Sequence, residues 1–347
     1  MGVGGTKVLV DIQRLGRHRQ APPEKYRDPV RRRKKFAVTI AAIGIVAAMA
    51  VTFVVYSVEN PGKGTHSSPS GQNQSLPVTP DSYIGLYARG VPVSYTGVKT
   101  FTTATRVKPD MLIYYSGWTE PFQIGFATIA RDEGAVPLVQ INPSNVSIAA
   151  IAAGQYDSYL TTYAKAVRAY GHPVIMSLGH EMNGYWYTWG YTHTSPATFV
   201  AAWRHIVTLF RSLGTQNVTW LWTINTIHTK TRVPAPGPWW PGSSYVTWVG
   251  IDGYFTSPSS TFASVFGPTI VTVRALTRDP ILIAETSAAP TSGQPGKIAD
   301  LFAGIHLYGL LGFVWFDAVA KVDWRLSSPA AVAAFHRGAE AYHRPAP

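Results

Sequence analysis

The sequence predicts a (β/α)8 barrel over residues 81–343. Three observations carry this expectation. Eight short apolar runs recur along the segment, with helix-length stretches between them. The runs are apolar nearly throughout instead of alternating, as strands of a parallel sheet covered on both faces are. Acidic, amide and aromatic residues gather where the runs end, which is where barrel active sites are built. A doubly wound open sheet is the rival arrangement. It fits less well, because no Gly-rich phosphate loop follows the first run.

In order, the expected strands are Tyr83–Tyr87, Met111–Tyr115, Val136–Ile141, Val174–Leu178, Val218–Thr223, Val246–Ile251, Ile281–Ala284 and Leu311–Phe316. The clearest helices are Tyr156–Tyr170 and Pro196–Leu213, where apolar residues return every three or four positions.

Three segments precede the barrel. Residues 1–35 hold 11 Lys/Arg against 3 Asp/Glu, while the remaining 312 residues hold 19 against 15. The net charge of +12 is thus largely a property of this tail, read as disordered and cytoplasmic, and no nucleic-acid partner is expected for the main domain. Residues 36–56, FAVTIAAIGIVAAMAVTFVVY, carry no charge and are long enough to span a bilayer as a helix. The basic run Arg31–Lys35 before them orients the N-terminus to the cytoplasm and the rest outward. A cleaved signal peptide would have a shorter apolar run and a small-x-small site after it, and a buried core helix would lack the basic flank. Residues 57–80 are rich in Ser, Pro, Gly and Gln and read as a flexible linker. The expectation is a single-pass cell-membrane protein, monomeric, with its large domain extracytoplasmic. There is no Cys, which excludes disulfides, thiol catalysis and Cys-bound metal.

Within the large domain, Glu181 and Glu285 stand out. Each follows a short apolar strand, in a chain with few acids. Paired carboxylates at strand ends suit glycosidic bond cleavage, where one protonates the leaving oxygen and the other stabilises or attacks the anomeric carbon. Asn225, Tyr254 and Asp317 follow strands five, six and eight at the same end. Trp222 lies inside strand five, balanced between core and cleft, and Trp239-Trp240 in the loop PAPGPWWPG could form an outlying sugar subsite. His180-Glu181 is not a zinc motif, because HExxH would need His where Gly184 stands. No metal or cofactor is called for. The bland alternatives are a helix-start acid for Glu285, a surface acid for Glu181, and rim or core packing for the aromatics.

The segments HEMNGYWYTWG (180–190), VGIDGY (249–254), ILIAET (281–286) and the late VWFD with DWR resemble glycoside hydrolase family 26. The likeness extends over about residues 82–340, and GQYDSYL and AAWRHIV fit it as well. That family contains β-mannanases and related β-glycanases on (β/α)8 barrels. The resemblance implies that Glu181 is the general acid/base and Glu285 the nucleophile of a retaining double displacement. It further implies that His180 lines the subsite at the scissile sugar, that Tyr254 holds the nucleophile, and that Trp186 and Trp315 line the cleft. One departure is Ser177, where members usually carry Arg three residues before the His. The expected function is therefore a membrane-anchored endo-β-glycanase acting on β-mannan or a related β-glycan. A barrel that binds surface polysaccharide without cleaving it is the alternative.

Overall fold

The computed structural model describes residues 75–342, apart from 228–231 and 327. The basic tail, the apolar span and residues 57–74 of the linker lie outside the described residues. Among the described residues, no helix is long and apolar enough to cross a membrane.

Eight parallel strands close into a barrel in sequence order. They are β1 (Tyr83–Ala88), β2 (Met111–Gly117), β3 (Val136–Asn142), β4 (Val174–Leu178), β5 (Val218–Asn225), β6 (Trp248–Asp252), β7 (Ile281–Thr286) and β8 (Gly312–Asp317). Closure is made by β1 and β8, in register from Tyr83↔Gly312 to Ala88↔Asp317. The helices are α1 (Thr96–Thr105), α2 (Ile124–Asp132), α3 (Ile148–Ala152), α4 (Asp157–Tyr170), α5 (Pro196–Ser212), α6 (Phe262–Leu276), α7 (Gln294–Leu307) and α8 (Pro329–Tyr342). The starts of α5 and α6 carry side-chain caps. Ser195 accepts from the Thr198 N–H ahead of Pro196, and Thr261 and Ser264 form a reciprocal capping box.

Successive residues of each strand feed two separate apolar clusters. One fills the barrel, with Met111, Ile113, Leu138, Ile175, Leu221, Trp248, Leu282 and Val314. The other lies between barrel and helices, with Leu112, Val139, Met176, Trp222, Val249, Ile283 and Trp315. Burial on both faces explains why the strands read as unbroken apolar runs.

The structure differs from the expected pattern at several strand ends and in the β5–β6 connection. Several strands run further at their C-terminal ends, so Asn225, Glu285 and Asp317 belong to β5, β7 and β8 instead of following them. The β6 strand starts at Trp248, two residues late. Between β5 and β6 the described residues contain no α-helix, and a short 3₁₀ turn at Gly237–Trp239 takes its place. Trp239 is buried there, and Trp240 meets Trp222 edge-on at 5.0 Å between ring centres. These indoles cover the barrel wall that a helix would otherwise cover, so the pair does not form an outlying sugar subsite.

Gly312 opens β8 at φ 149°, and a Cβ there would collide with the Tyr83 carbonyl oxygen at the closing seam. Gly312→Ala is expected to cost about 3 kcal/mol or more, read as a lower denaturant midpoint. Alkali should act through Tyr83 at the seam and Tyr95 at the start of α1. Burial, aided by the Asp110 charge, raises the Tyr83 hydroxyl to about 12, and burial with Glu133 raises Tyr95 to about 12. The unfolded chain ionises these groups near 10. Their contribution to stability is whole below pH ~10 and is lost as pH rises to ~12, so the melting temperature should fall across that window.

Candidate active site

Both carboxylates reach the barrel mouth through backbone irregularities. After β4 the chain turns through Gly179 at φ 52° and Glu181 at φ 56°. The second is a left-handed conformation that a residue with a Cβ adopts only at a cost. The Glu181 N–H still donates to the Thr223 carbonyl at 2.9 Å, so the β4–β5 ladder holds the turn in place. Its side chain accepts from Asn225 Nδ2 at 2.6 Å and from Trp186 Nε1 at 2.7 Å. Asn183 fixes Asn225 in turn, accepting from its N–H at 2.9 Å and donating to its carbonyl at 2.9 Å.

In β7 the device is a bulge. Ile283 pairs with Phe313 and Thr286 with Trp315, three residues against two. The pairing with β6 shifts at the same place, between Gly250↔Leu282 and Asp252↔Glu285. Leu282 and Ala284 face the barrel interior, so strict alternation would send Glu285 outward. The extra residue turns it inward, as bulges beside active sites do. There the Tyr254 hydroxyl donates to Glu285 Oε1. Pairing of β6 with β7 continues past the strand ends, with Phe255 N–H on the Ser287 carbonyl at 3.0 Å, which steadies Tyr254.

His180 stands beside Glu181, with Nε2 at 3.0 Å from the Tyr187 hydroxyl. Tyr187 lies flat on Trp189 at 4.3 Å, and the Trp189 indole donates to the His180 carbonyl at 2.8 Å. Trp189 therefore seals the loop. Burial pushes the hydroxyls of Tyr187 and Tyr254 well above the usual tyrosine range, and the charges of Glu181 and Asp252 push both further. Both stay protonated and can donate at neutral pH. The Tyr87 hydroxyl is raised by burial and then by Glu285, against a smaller opposing effect of Arg89. That places Tyr87 at the site too.

The mouth thus has two unlike sides. From β4 to β7 it presents His180, Glu181, Asn225, Asp252 and Glu285. From β8 and β1 it presents Tyr87 stacked on Phe316 at 4.7 Å, with Tyr254 and Trp324 at 4.5 Å beside them. Amides and carboxylates can bond sugar hydroxyls, and aromatic faces suit the apolar face of a pyranose ring. Below them, Ser177 donates to Thr223 Oγ1 at 3.1 Å, with Gln140 Nε2 at 3.5 Å from the same oxygen, so the Ser177 position is absorbed into a buried polar layer.

Of the residues expected in the site, the structure gathers Glu181, Glu285, His180, Tyr254, Trp186 and Asn225. Three others turn away. Trp222 and Trp315 are fully buried on the outer face of the barrel wall, against Trp240 and against Phe335 of α8. Asp317 is also on the outer face and accepts from the Leu326 N–H at 2.9 Å. Each has the parity of its strand's outer residues, so none can meet a ligand in the mouth. Trp186 is half-buried with its indole N–H committed to Glu181, a role beyond a flat platform. Tyr87 was not singled out from the sequence, and Asn183, Tyr187 and Trp324 entered only as members of longer runs. Tyr87 could have been found as the last inward residue of β1, whereas Trp324 depends on a loop whose path the sequence does not reveal. Among the described residues no three His, Asp or Glu side chains gather as a metal site. Trp222→Ala should cost about 3–5 kcal/mol of stability by denaturant titration, as a buried wall residue would.

Known proteins resemble the chain in sequence and in fold. Residues 147–288 match the model of glycosyl hydrolase family 26. Endoglucanase H of Acetivibrio thermocellus is 29% identical over 263 residues, covering 71% of this chain and 29% of that protein. A beta-1,3-xylanase from Vibrio sp is 27% identical over 112 residues, covering 32% of this chain and 23% of that protein. The chain thus spans less than a third of the length of these curated relatives. Among solved structures, an endo-beta-1,4-mannanase from Cellulomonas fimi superposes with a TM-score of 0.60 at 14% identity, covering 74% of this chain and 70% of that one. A beta-mannanase from Bacteroides ovatus gives 0.58 at 14% identity, covering 75% and 89%. At such identities the structural likeness is one of fold. The segment that matches the model of glycosyl hydrolase family 26, residues 147–288, carries both carboxylates.

Proposed function

We propose that the protein is a retaining endo-β-glycanase, anchored in the cell membrane by residues 36–56, that cleaves a β-mannan or a related β-glycan outside the cell. The observation that carries the reading is the pair of carboxylates at one barrel mouth, each held by named donors. Glu285 is 2% exposed and bonded by Tyr254, and Glu181 is 5% exposed and bonded by Asn225 and Trp186.

In the first step Glu181, as the acid, gives its proton to the glycosidic oxygen while Glu285 attacks the anomeric carbon. The bond to the leaving sugar breaks and a glycosyl ester on Glu285 forms. In the second step Glu181, now a carboxylate, takes a proton from water, whose oxygen displaces Glu285. Two inversions leave the anomeric configuration unchanged. Tyr254, kept protonated by its burial, donates to the departing Glu285 carboxylate. Asn225 and Trp186 fix the direction of Glu181 toward the leaving oxygen.

The relatives are named for three backbones: an endoglucanase, a β-1,3-xylanase and β-1,4-mannanases. A panel of β-mannan, β-glucans and xylans is therefore the direct test, with the full-length protein and its Glu285→Ala and Glu181→Ala variants. Reducing ends are expected from one polymer, with the configuration of the new ends retained by NMR. Glu181→Ala should lower kcat roughly 100- to 10,000-fold. The protein should also remain with the membrane pellet after carbonate extraction. Binding without cleavage across the panel by folded protein would replace the hydrolase with a polysaccharide-binding barrel.

A further inference from the structure

The β8–α8 connection carries Trp324 into the mouth, and its construction gives Asp317 a task outside the chemistry. Residues 318–326 form a small lobe. Val319 bridges Asp323 in antiparallel fashion, the Trp324 N–H donates to the Ala318 carbonyl at 3.0 Å, and Arg325 clasps Asp323 at 2.8 and 2.6 Å. The tip is open to solvent, with Val319 51% and Val322 37% exposed. A lobe so built has no apolar core of its own, and its position depends on how its base is tied.

The base is tied on two sides. Toward β7, Ser287 Oγ donates to the Trp324 carbonyl at 2.8 Å, and Gln294 Nε2 donates to the carbonyls of Arg325 at 3.0 Å and Ala288 at 2.8 Å. Toward β8, Asp317 Oδ1 accepts from the Leu326 N–H at 2.9 Å, which joins the last residue of the strand to the last residue of the lobe. Asp317 faces a cavity of about 380 Å³ lined by Phe101, Thr105, Leu326 and Val332, on the helix side of the wall. It cannot reach a sugar in the mouth. Trp324 can, and its ring lies 4.5 Å from Tyr254, the residue that holds Glu285.

We propose that Asp317 is a positioning residue, whose bond to the Leu326 N–H pins the 318–326 lobe and so holds Trp324 against Tyr254 beside Glu285. The effect on turnover rests on the hydrolase reading above, whereas the effect on the lobe does not. An acceptor oxygen is what the role requires, so asparagine should serve and alanine should not.

The test uses the full-length protein with Asp317→Ala and Asp317→Asn, and reads amide hydrogen exchange and kinetics on the polymer the wild type cleaves. In Asp317→Ala, exchange across residues 318–326 should quicken about tenfold or more while β1–β8 keep their protection. Its kcat should fall several-fold. Asp317→Asn should match the wild type in both. Leu326→Pro deletes the donor and keeps the carboxylate, so it should loosen the lobe as alanine does even where Asp317→Ala does not fold. Unchanged exchange in the alanine or proline variant would overturn the proposal. So would an asparagine variant as impaired as alanine, since that would make the charge itself the requirement. Where no polymer is cleaved, the exchange result alone decides the matter.

Discussion

A parallel strand delivers side chains to a barrel's interior at every second residue, and that parity constrains everything else at this mouth. The interior of β7 is filled by Leu282 and Ala284, so Glu285 has the wrong parity by one. One extra residue in β7 corrects it. The β4 end solves its own version differently, by passing through left-handed Gly179 and then Glu181 itself in the left-handed region. Tyr254, Asn225 and Trp186 then act on carboxylates whose positions the backbone has already set. None of their hydrogen bonds could form if the bulge or the turn were ironed out.

The same parity divides the aromatic residues between two jobs. Those facing inward near the mouth, Tyr87, Phe316 and Trp248 deeper down, fill the barrel and build one wall of the cleft. Those facing outward, Trp220, Trp222 and Trp315, fasten the barrel to its surroundings. The β5–β6 side shows how far this goes. With no α-helix among the described residues there, Trp239 and Trp240 supply the apolar cover themselves. A barrel wall left bare on one side would expose its outer residues to water, at about 25 cal/mol per Å² of apolar surface.

The strands were legible in the sequence because burial on both faces makes them apolar throughout. That same property hid the orientation of each residue. Nothing in VTWLWTIN distinguishes an inward Leu221 from an outward Trp222, and nothing in GFVWFD shows that Trp315 faces a helix. Glu181 and Glu285 were visible because an acid closing an apolar strand is conspicuous. The reason Glu285 points inward was not, because a bulge is a relation among three strands. The contact of Trp324 with Tyr254 spans 70 positions of chain that only the closed barrel brings together.

The left-handed backbone at Glu181 sets its chemistry against the durability of the fold. Holding a glutamate there costs about 1–3 kcal/mol, and glycine or asparagine would relieve much of it. Water entering the mouth can then satisfy the donors on Asn225 and Trp186. The exchanges most damaging to bond cleavage at this position are thus ones that make the protein sturdier. Under selection for persistence alone, mutation at residue 181 runs downhill toward an inert, lectin-like barrel. On the hydrolase reading, the strained glutamate at residue 181 is kept for turnover and not for stability.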